Sequence, residues 1–335
     1  MKASLLNVMQ AFGAFAPFRF ANRDKALILT YHRFGEFRDG AKISARAFAR
    51  QLHYLASHYR VVPLSALAEL MRRGRELPPR VAALTIDDGY LDAYEIALPI
   101  LRRYRLPATI FLVTDFVDRK SWLWTDKLRF LALKTRATRL EADLGGEKLR
   151  ISLSGRASRL KAATELNSRL KALPDELKED AINRIASSLR VSLPELPPHE
   201  YCSLSWDQAR EMESAGVEIG SHTASHPILT NVSDAVLQAE LRESKARLEA
   251  ELGHGVELFC YPNGDYDARV RRAVKEAGYR CAVTVEPGLN DSLSDMLALK
   301  RVHTEQDMAR FAQATSGFEQ VKNRFRYAYA KTASF

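Results

Sequence analysis

The 335-residue sequence is 46% hydrophobic and 27% charged, with a formal charge of +9 at pH 7. This balance excludes a disordered, fibrous or collagen-like chain, and the length allows one large domain or two ordinary ones. Three scattered cysteines, Cys202, Cys260 and Cys281, argue against a disulfide framework or a CxxC zinc site and read as small buried apolar side chains.

The chain opens with an extension over residues 1–25. Its apolar stretch is interrupted by Asn7, Gln10 and Pro17, unlike the core of a signal peptide, and reads as a surface helix or loop able to rest on a membrane. No segment reaches the ~20 apolar residues of a membrane span. With reduced thiols, the expectation is a cytoplasmic protein, with membrane association as an option and secretion as the lesser one. Apolar runs at 26–31, 82–86, 108–113, 217–220, 258–261, 281–285 and 298–302 predict strands. Helices alternate with them: one capped by Ser44 and running to Tyr59, a short one capped by Ser65 and closed near Gly74, one over 92–104, one from Ser233 to Gly253, one over 267–277 stopped by Gly278, and one over 305–314. Such alternation predicts βα units and a parallel sheet or barrel. Residues 121–200 break the rhythm and read as a mostly helical insertion, ending in Pro194, Pro197 and Pro198. Between Arg119 and Glu200 there are 17 Lys or Arg against 11 Asp or Glu, and the tail over 316–335 is basic too, with Lys322, Arg324, Arg326 and Lys331. Such an excess suits a solvated helical face, or peripheral contact with a membrane or an anionic glycan. No aromatic-and-basic nucleic-acid module is present, so no nucleic-acid partner is expected.

The sharpest motif is Thr85-Ile86-Asp87-Asp88-Gly89, where an apolar strand runs into two adjacent carboxylates. Strand C-termini are where ligands sit in parallel sheets, and neighbouring carboxylates repel unless a cation or a shared proton relieves them. A turn that merely caps a helix is the plainer alternative. The second motif, His222-Thr-Ala-Ser-His226, also follows a strand. Two imidazoles four apart on one side of a helical turn can reach one metal ion, although taken alone a pair at this spacing is more often structural. It lacks the glutamate of HExxH metalloproteases. Together, two His and a carboxylate make a three-ligand site with room for water, leaving the second aspartate to accept a proton. His32 ends the first strand, and Tyr261-Pro262-Asn263-Gly264 reads as a strand running into a tight turn that can aim a backbone N–H at an oxyanion.

These motifs resemble those of the polysaccharide deacetylases of the NodB-homology type (carbohydrate esterase family 4): Thr-Ile-Asp-Asp-Gly is similar to TFDDG, and His-Thr-Ala-Ser-His to H-S/T-x-x-H. The early Tyr31-His32-Arg33-Phe34 and the late Leu299-Lys300-Arg301-Val302 look most like the branch of exopolysaccharide and poly-N-acetylglucosamine deacetylases. The resemblance spans about 26–304 and implies a domain over 26–315 folded as a distorted (β/α)7 barrel. It implies Asp87 as general base, Asp88, His222 and His226 as ligands of one divalent metal ion, and His32 as acid. Zinc is the first expectation for the metal, with cobalt, nickel and iron also suited to such ligands. It implies Asn263, with Tyr261, beside the oxyanion. The pattern departs from the family at Cys260, near which many members carry arginine, and at Asn263, where many carry tyrosine; an Asp-Trp motif is absent. Arg301 is expected to take the arginine's place and orient Asp87.

The implied function is hydrolytic removal of acetyl groups from N-acetylated sugars of a polysaccharide, oligosaccharide or lipid-linked glycan. The alternatives are an O-acetyl esterase or other amide hydrolase on the same scaffold, and a non-catalytic glycan- or membrane-binding protein.

Overall fold

A computed structural model describes residues 2–36, 42–74, 76–144 and 147–321. Its ten strands are β1 (Leu27–Tyr31), β2 (Arg60–Val61), β3 (Val81–Ile86), β4 (Ala108–Leu112), β5 (Arg139–Leu144), β6 (Glu147–Ser152), β7 (Val217–Ser221), β8 (Leu258–Cys260), β9 (Cys281–Pro287) and β10 (Leu299–His303). Seven of them, β1, β3, β4, β7, β8, β9 and β10, form a closed parallel barrel, because β1 pairs with both β10 and β3. Short β2 pairs with the start of β3, and β4 pairs with its end, which distorts the closure.

Strand alternation divides the core in two. Outward residues such as Leu29, Leu84, Ile110 and Phe259 pack under the surrounding helices. Inward residues, among them Ile28, Ala83, Phe111, Leu258 and Leu299, pack with Leu64, Leu67 and Met71 of the helix Leu64–Arg72. Two residues further along, the same inward rows carry Thr30, Thr85, Cys260 and Arg301, and then His32 and Asp87. The barrel interior is therefore apolar at the N-terminal ends of its strands and polar at their C-terminal ends. Gly220 is required where the walls approach: a Cβ there would lie 2.5 Å from the Phe111 ring.

Most expected helices form with their expected caps. Ser44 caps Ala45–His58, and Ser233 caps Asp234–Leu252, which ends at left-handed Gly253. Ser65 is not a cap; it lies inside its helix, and its backbone N–H donates to Glu218 at 3.1 Å. The helix expected over 92–104 begins as a π-helical segment, Ala93–Ala97, because Pro99 offers no N–H to the carbonyl four residues back.

The insertion is not helical throughout. β5 and β6 form an antiparallel hairpin that shares a small core with the helices Trp124–Lys134, Arg156–Lys171 and Lys178–Leu189. A cluster that includes Tyr90, Phe116, Trp122, Phe130 and Tyr201 joins this unit to the barrel. At the N-terminus, the helix Lys2–Ala11 lies by the helix Met308–Thr315 and is followed by the short helix Ala16–Ala21, with Phe15 buried and Phe12 86% exposed. Among the described residues, no helix is long and apolar enough to cross a membrane. Lys322, Arg324, Arg326 and Lys331 lie outside the described residues.

Candidate active site

The C-terminal ends of β1, β3, β7, β8 and β10 converge on the expected residues. Asp87 is 1% exposed and Arg301 0% exposed. The guanidinium grips the carboxylate with both ends, Nη1 donating to Oδ1 and Nη2 to Oδ2, each at 2.7 Å. Arg301 is itself fixed by donating from Nε to the Thr284 carbonyl at 2.7 Å, and from Nη1 to Thr85 Oγ1 at 3.0 Å. Its Nη2 also approaches Cys260 Sγ at 3.3 Å, so Cys260 is more than a small apolar filler. Burial pushes the Asp87 carboxyl up, but Arg301, aided by His32, outweighs it and holds Asp87 well below the usual carboxylate range. His32 Nε2 lies 3.5 Å from Asp87 Oδ2, and at 42% side-chain exposure it is the open member of the group.

Asp88 faces the other way. It adopts left-handed backbone (φ 77°), followed by Gly89 at φ 86°, where a Cβ would strike Leu112 at 2.7 Å. This turn sets Asp88 Oδ1 at 3.4 Å from His222 Nε2 and 3.6 Å from His226 Nε2. The ligating atoms of Asp88, His222 and His226 all lie within 4.8 Å of one another, and all three residues are buried.

The chemistry of these donors fits a divalent cation. His222 Nδ1 sits 2.7 Å from the Cys260 carbonyl, so that nitrogen carries a proton and Nε2 is the nitrogen turned toward Asp88. Burial and the neighbouring His222 push His226 down to about 3, so it stays neutral. Burial works against charging His222, while Cys260 and the carboxylates favour it, and the net direction is upward. Burial raises Asp88 and the hydrogen bond with His222 lowers it, with a net lowering. Two imidazoles competing for positive charge beside one carboxylate are relieved by a metal ion. Asp87, His222 and Cys260 form a second close group. It is the poorer cation site, because both Asp87 oxygens already accept from Arg301 and burial pushes the Cys260 thiol up.

The loop carrying the histidines is not the helical turn that the four-residue spacing suggested. Thr223 and His226 have positive φ (70° and 65°), and the His226 N–H donates to Thr223 Oγ1 at 3.0 Å. Glu240, buried on the helix Asp234–Leu252, clamps this loop: it accepts from the backbone N–H groups of Ala224 and Ser225 at 2.8 and 2.9 Å and from the Ser225 hydroxyl at 2.6 Å. Sequence reasoning missed Glu240, which reads there as one more charge on a polar helix. Tyr261 is a correction. Its phenol donates to the Leu297 carbonyl at 2.9 Å and its N–H to Val283 at 3.2 Å, so both donors are engaged in the core and neither can meet an oxyanion. Asn263 keeps left-handed backbone (φ 55°) in the turn after β8, and its buried Nδ2 has no hydrogen-bond partner among the described residues.

A cleft of about 680 Å³ opens from His32 and Asp88 toward the insertion. At its inner end Arg33 stacks on the Tyr90 ring at 3.8 Å and pairs with Asp92 at 2.9 Å, while Tyr90 donates to Asp126 at 2.6 Å. This network, absent from the sequence reading, ties the ends of β1 and β3 to the first helix of the insertion.

The sequence model of the polysaccharide deacetylases matches residues 74–282. The chain belongs to the polysaccharide deacetylase family. Bacillus subtilis YxkH, provisionally named a polysaccharide deacetylase, is 21% identical over 286 residues, covering 85% of this chain and 73% of its own. The poly-β-1,6-N-acetyl-D-glucosamine N-deacetylase of Staphylococcus aureus is 29% identical over 127 residues, covering 33% of this chain and 43% of its own. Among solved structures, the Streptococcus pyogenes deacetylase PplD superposes with a TM-score of 0.59 at 18% identity, over 87% of this chain and 98% of that one. The likeness to PplD establishes the NodB-type (β/α)7 fold for this deacetylase chain, and the family match establishes its class.

Proposed function

We propose that this polysaccharide deacetylase is a metal-dependent hydrolase that removes acetyl groups from N-acetylated sugars. The observation that carries the reading is the division of labour between two adjacent aspartates: Asp87 is gripped by Arg301 and open to His32, while Asp88 faces two imidazoles.

Asp88, His222 and His226 would hold the divalent ion, zinc first among those such donors suit. When bound, it supplies Lewis-acid polarisation of the acetyl carbonyl and a lowered pKa for water. Asp87 accepts the proton of the attacking water. Arg301 keeps that carboxylate ionised at every working pH and fixes its rotamer, so the base is always ready. His32, exposed beside Asp87, gives a proton to the departing sugar amine. The left-handed turn at Asn263 supplies a backbone N–H for the tetrahedral oxyanion. Parts of this kind typically contribute ~10²–10⁴-fold each. An amide needs the acid at its leaving nitrogen more than an ester does, and this favours N-acetyl over O-acetyl substrates.

The test is acetate release from N-acetylglucosamine oligomers by the metal-loaded protein and by Asp87→Asn. The variant is expected to keep its metal by elemental analysis and to lose at least ~100-fold in kcat. Release at near the unsubstituted rate would refute the assignment.

A further inference from the structure

The three most exposed large apolar side chains among the described residues are Leu293, Phe12 and Phe20, at 93%, 86% and 66%. Phe12 and Phe20 belong to the N-terminal extension, and Phe20 and Leu293 border two hollows that share Phe20, Arg23 and Pro79. Both side chains are held out by fixed backbone. Phe20 sits near the end of the helix Ala16–Ala21, which is tied to the C-terminal side of the domain: Asn22 Nδ2 donates to the Ser316 carbonyl at 3.2 Å, and Phe18 packs edge-on against Phe318 at 4.9 Å. Leu293 lies in a turn where its N–H donates to Asp291 Oδ1 at 3.1 Å, and Lys25 pairs with Asp291 at 2.8 Å. This face is basic where it is apolar. The hollow beside Phe20, about 820 Å³, is lined by Arg19, Arg23 and Arg80 together with Ala16, Pro17 and Pro79, and no acidic side chain lines it. Arg23 stacks on the Phe20 ring at 4.1 Å and Arg19 donates to the Tyr54 hydroxyl at 2.8 Å. Arg80, exposed at the start of β3, holds left-handed backbone (φ 59°). None of the three arginines has a carboxylate partner among the described residues. The nearby acids stand in the second hollow, where Asp291 is taken by Lys25, and Asp24 and Glu76 are exposed.

We propose that this face docks the protein on an anionic lipid surface, with Phe20 and Leu293 entering the headgroup layer while Arg19, Arg23 and Arg80 meet lipid phosphates and carboxylates. The proposal goes beyond the deacetylase reading and does not depend on it. Large apolar side chains left in water beside cations are satisfied together at such an interface, where aromatic and aliphatic groups are buried and guanidinium forks pair with headgroup oxygens. A soluble anion would answer the arginines and leave Phe20 and Leu293 in water. A second copy meeting this face through a two-fold axis would set the same arginines against each other. Among the described residues no helix is long and apolar enough to cross a membrane, so the contact is peripheral. The face lies before the starts of β1 and β3, whereas Asp87 and Asp88 follow the end of β3, so in the docked protein the barrel mouth points away from the bilayer.

The experiment is co-sedimentation of the full chain with vesicles of phosphatidylcholine alone and of phosphatidylcholine mixed with phosphatidylserine. The intact protein is expected to partition roughly ten-fold more strongly onto the mixed vesicles, with that preference falling as ionic strength rises. Arg23→Gln with Arg80→Gln should cut partitioning onto the mixed vesicles by roughly ten-fold or more, since each basic residue near such a surface contributes about five-fold. Phe20→Ser with Leu293→Ser should cut it by roughly ten-fold through lost apolar burial. Arg139→Gln with Arg150→Gln, which removes two charges from the exposed hairpin of the insertion, should leave it unchanged. All of these side chains except the backbone-strained Arg80 are ordinary exposed positions, and each variant should unfold at the temperature of the intact protein, which separates lost binding from lost folding. Equal partitioning onto the two vesicle types, an arginine variant that binds like the intact protein, or an equal loss in the hairpin variant overturns the proposal. Loss with the arginine pair alone, the Phe20 and Leu293 variant behaving as the intact protein, makes the face a site for a soluble anion and overturns the lipid assignment. So does a concentration-dependent dimer that the Phe20 and Leu293 variant abolishes and that sediments with neither vesicle.

Discussion

Replacing Arg301 by methionine separates the structural and chemical roles of the Asp87 pair. The guanidinium is fully buried and donates to Asp87 twice, to Thr85, to the Thr284 carbonyl and toward Cys260. Methionine fills most of the volume but strands a carboxylate in a desolvated site; breaking a buried pair in this way costs about 3–5 kcal/mol. The upper end is expected, because the Thr284 carbonyl loses its donor too. The pH dependence carries a definite sign. In the intact protein Asp87 is held below its ordinary value, so it contributes stability above the unfolded carboxyl pKa of about 4, and that contribution fades as pH falls further. Without Arg301, burial, the largest influence on this carboxyl, is opposed only by His32 and His222, so the folded pKa rises and stability then falls as pH climbs through and beyond about 4. The deficit of Arg301→Met should therefore be larger at pH 8 than at pH 5 in urea unfolding. Asp87→Asn in the same background should recover part of it, since both charges are then gone. Acetate release at pH 7 should fall by ~10²-fold or more, with a protonated Asp87 unable to serve as base. A pH-independent deficit under about 1 kcal/mol, or strictly additive effects in the double variant, would refute the pairing argument.

Three further outcomes follow from the geometry. His222→Ala should lose its metal by elemental analysis after dialysis, whereas full occupancy would remove His222 from the ligand set. Glu240→Ala strands the buried N–H of Ala224 and that of Ser225, at about 1–3 kcal/mol for each buried group; chelator competition should show metal affinity reduced ~10–100-fold as the loop loosens. Burial, opposed by Arg33, lifts Asp126 to about 6, so the folded state binds its proton more tightly than the unfolded state does and stability declines between about pH 4 and pH 6. Asp126→Asn removes that slope and should gain up to ~3 kcal/mol on the intact protein between pH 4.5 and pH 8 in denaturant titrations.

The barrel was legible because most of its strands are buried on both faces and so read as short apolar runs, such as Val81–Ile86, between capped helices; Leu299–His303, with Lys300 and His303 exposed, is the weakest of them. The site was legible where chemistry interrupts those runs, at Asp87-Asp88 and at the two histidines. What escaped depends on distances the sequence does not carry. Glu240 meets its loop only after a 19-residue helix folds back across it. The histidine spacing of four fits a helical turn equally well, and only the left-handed backbone at Thr223 and His226 distinguishes the two. The hairpin in the insertion did have a visible signal, the two-residue alternation of Leu140, Ala142 and Leu144 with Leu149 and Ile151, which the surrounding charge obscured.

Two neighbouring carboxylates can hold opposite tasks because strand geometry ends between them. Asp87 continues the inward row of β3, two residues beyond Thr85, and so meets Arg301 rising on the inward row of β10. Had the strand continued, Asp88 would have pointed outward, under the helices. The left-handed turn at Asp88 and Gly89 instead swings it across the barrel mouth toward His222 and His226. The consequence is electrostatic. One carboxylate is held by a fixed guanidinium and the other faces only the two imidazoles, so the second is the one left for a cation that the imidazoles could share. Under the proposed mechanism Arg301 would therefore do more than orient a base: by occupying Asp87, it would leave Asp88 as the carboxylate to hold the ion.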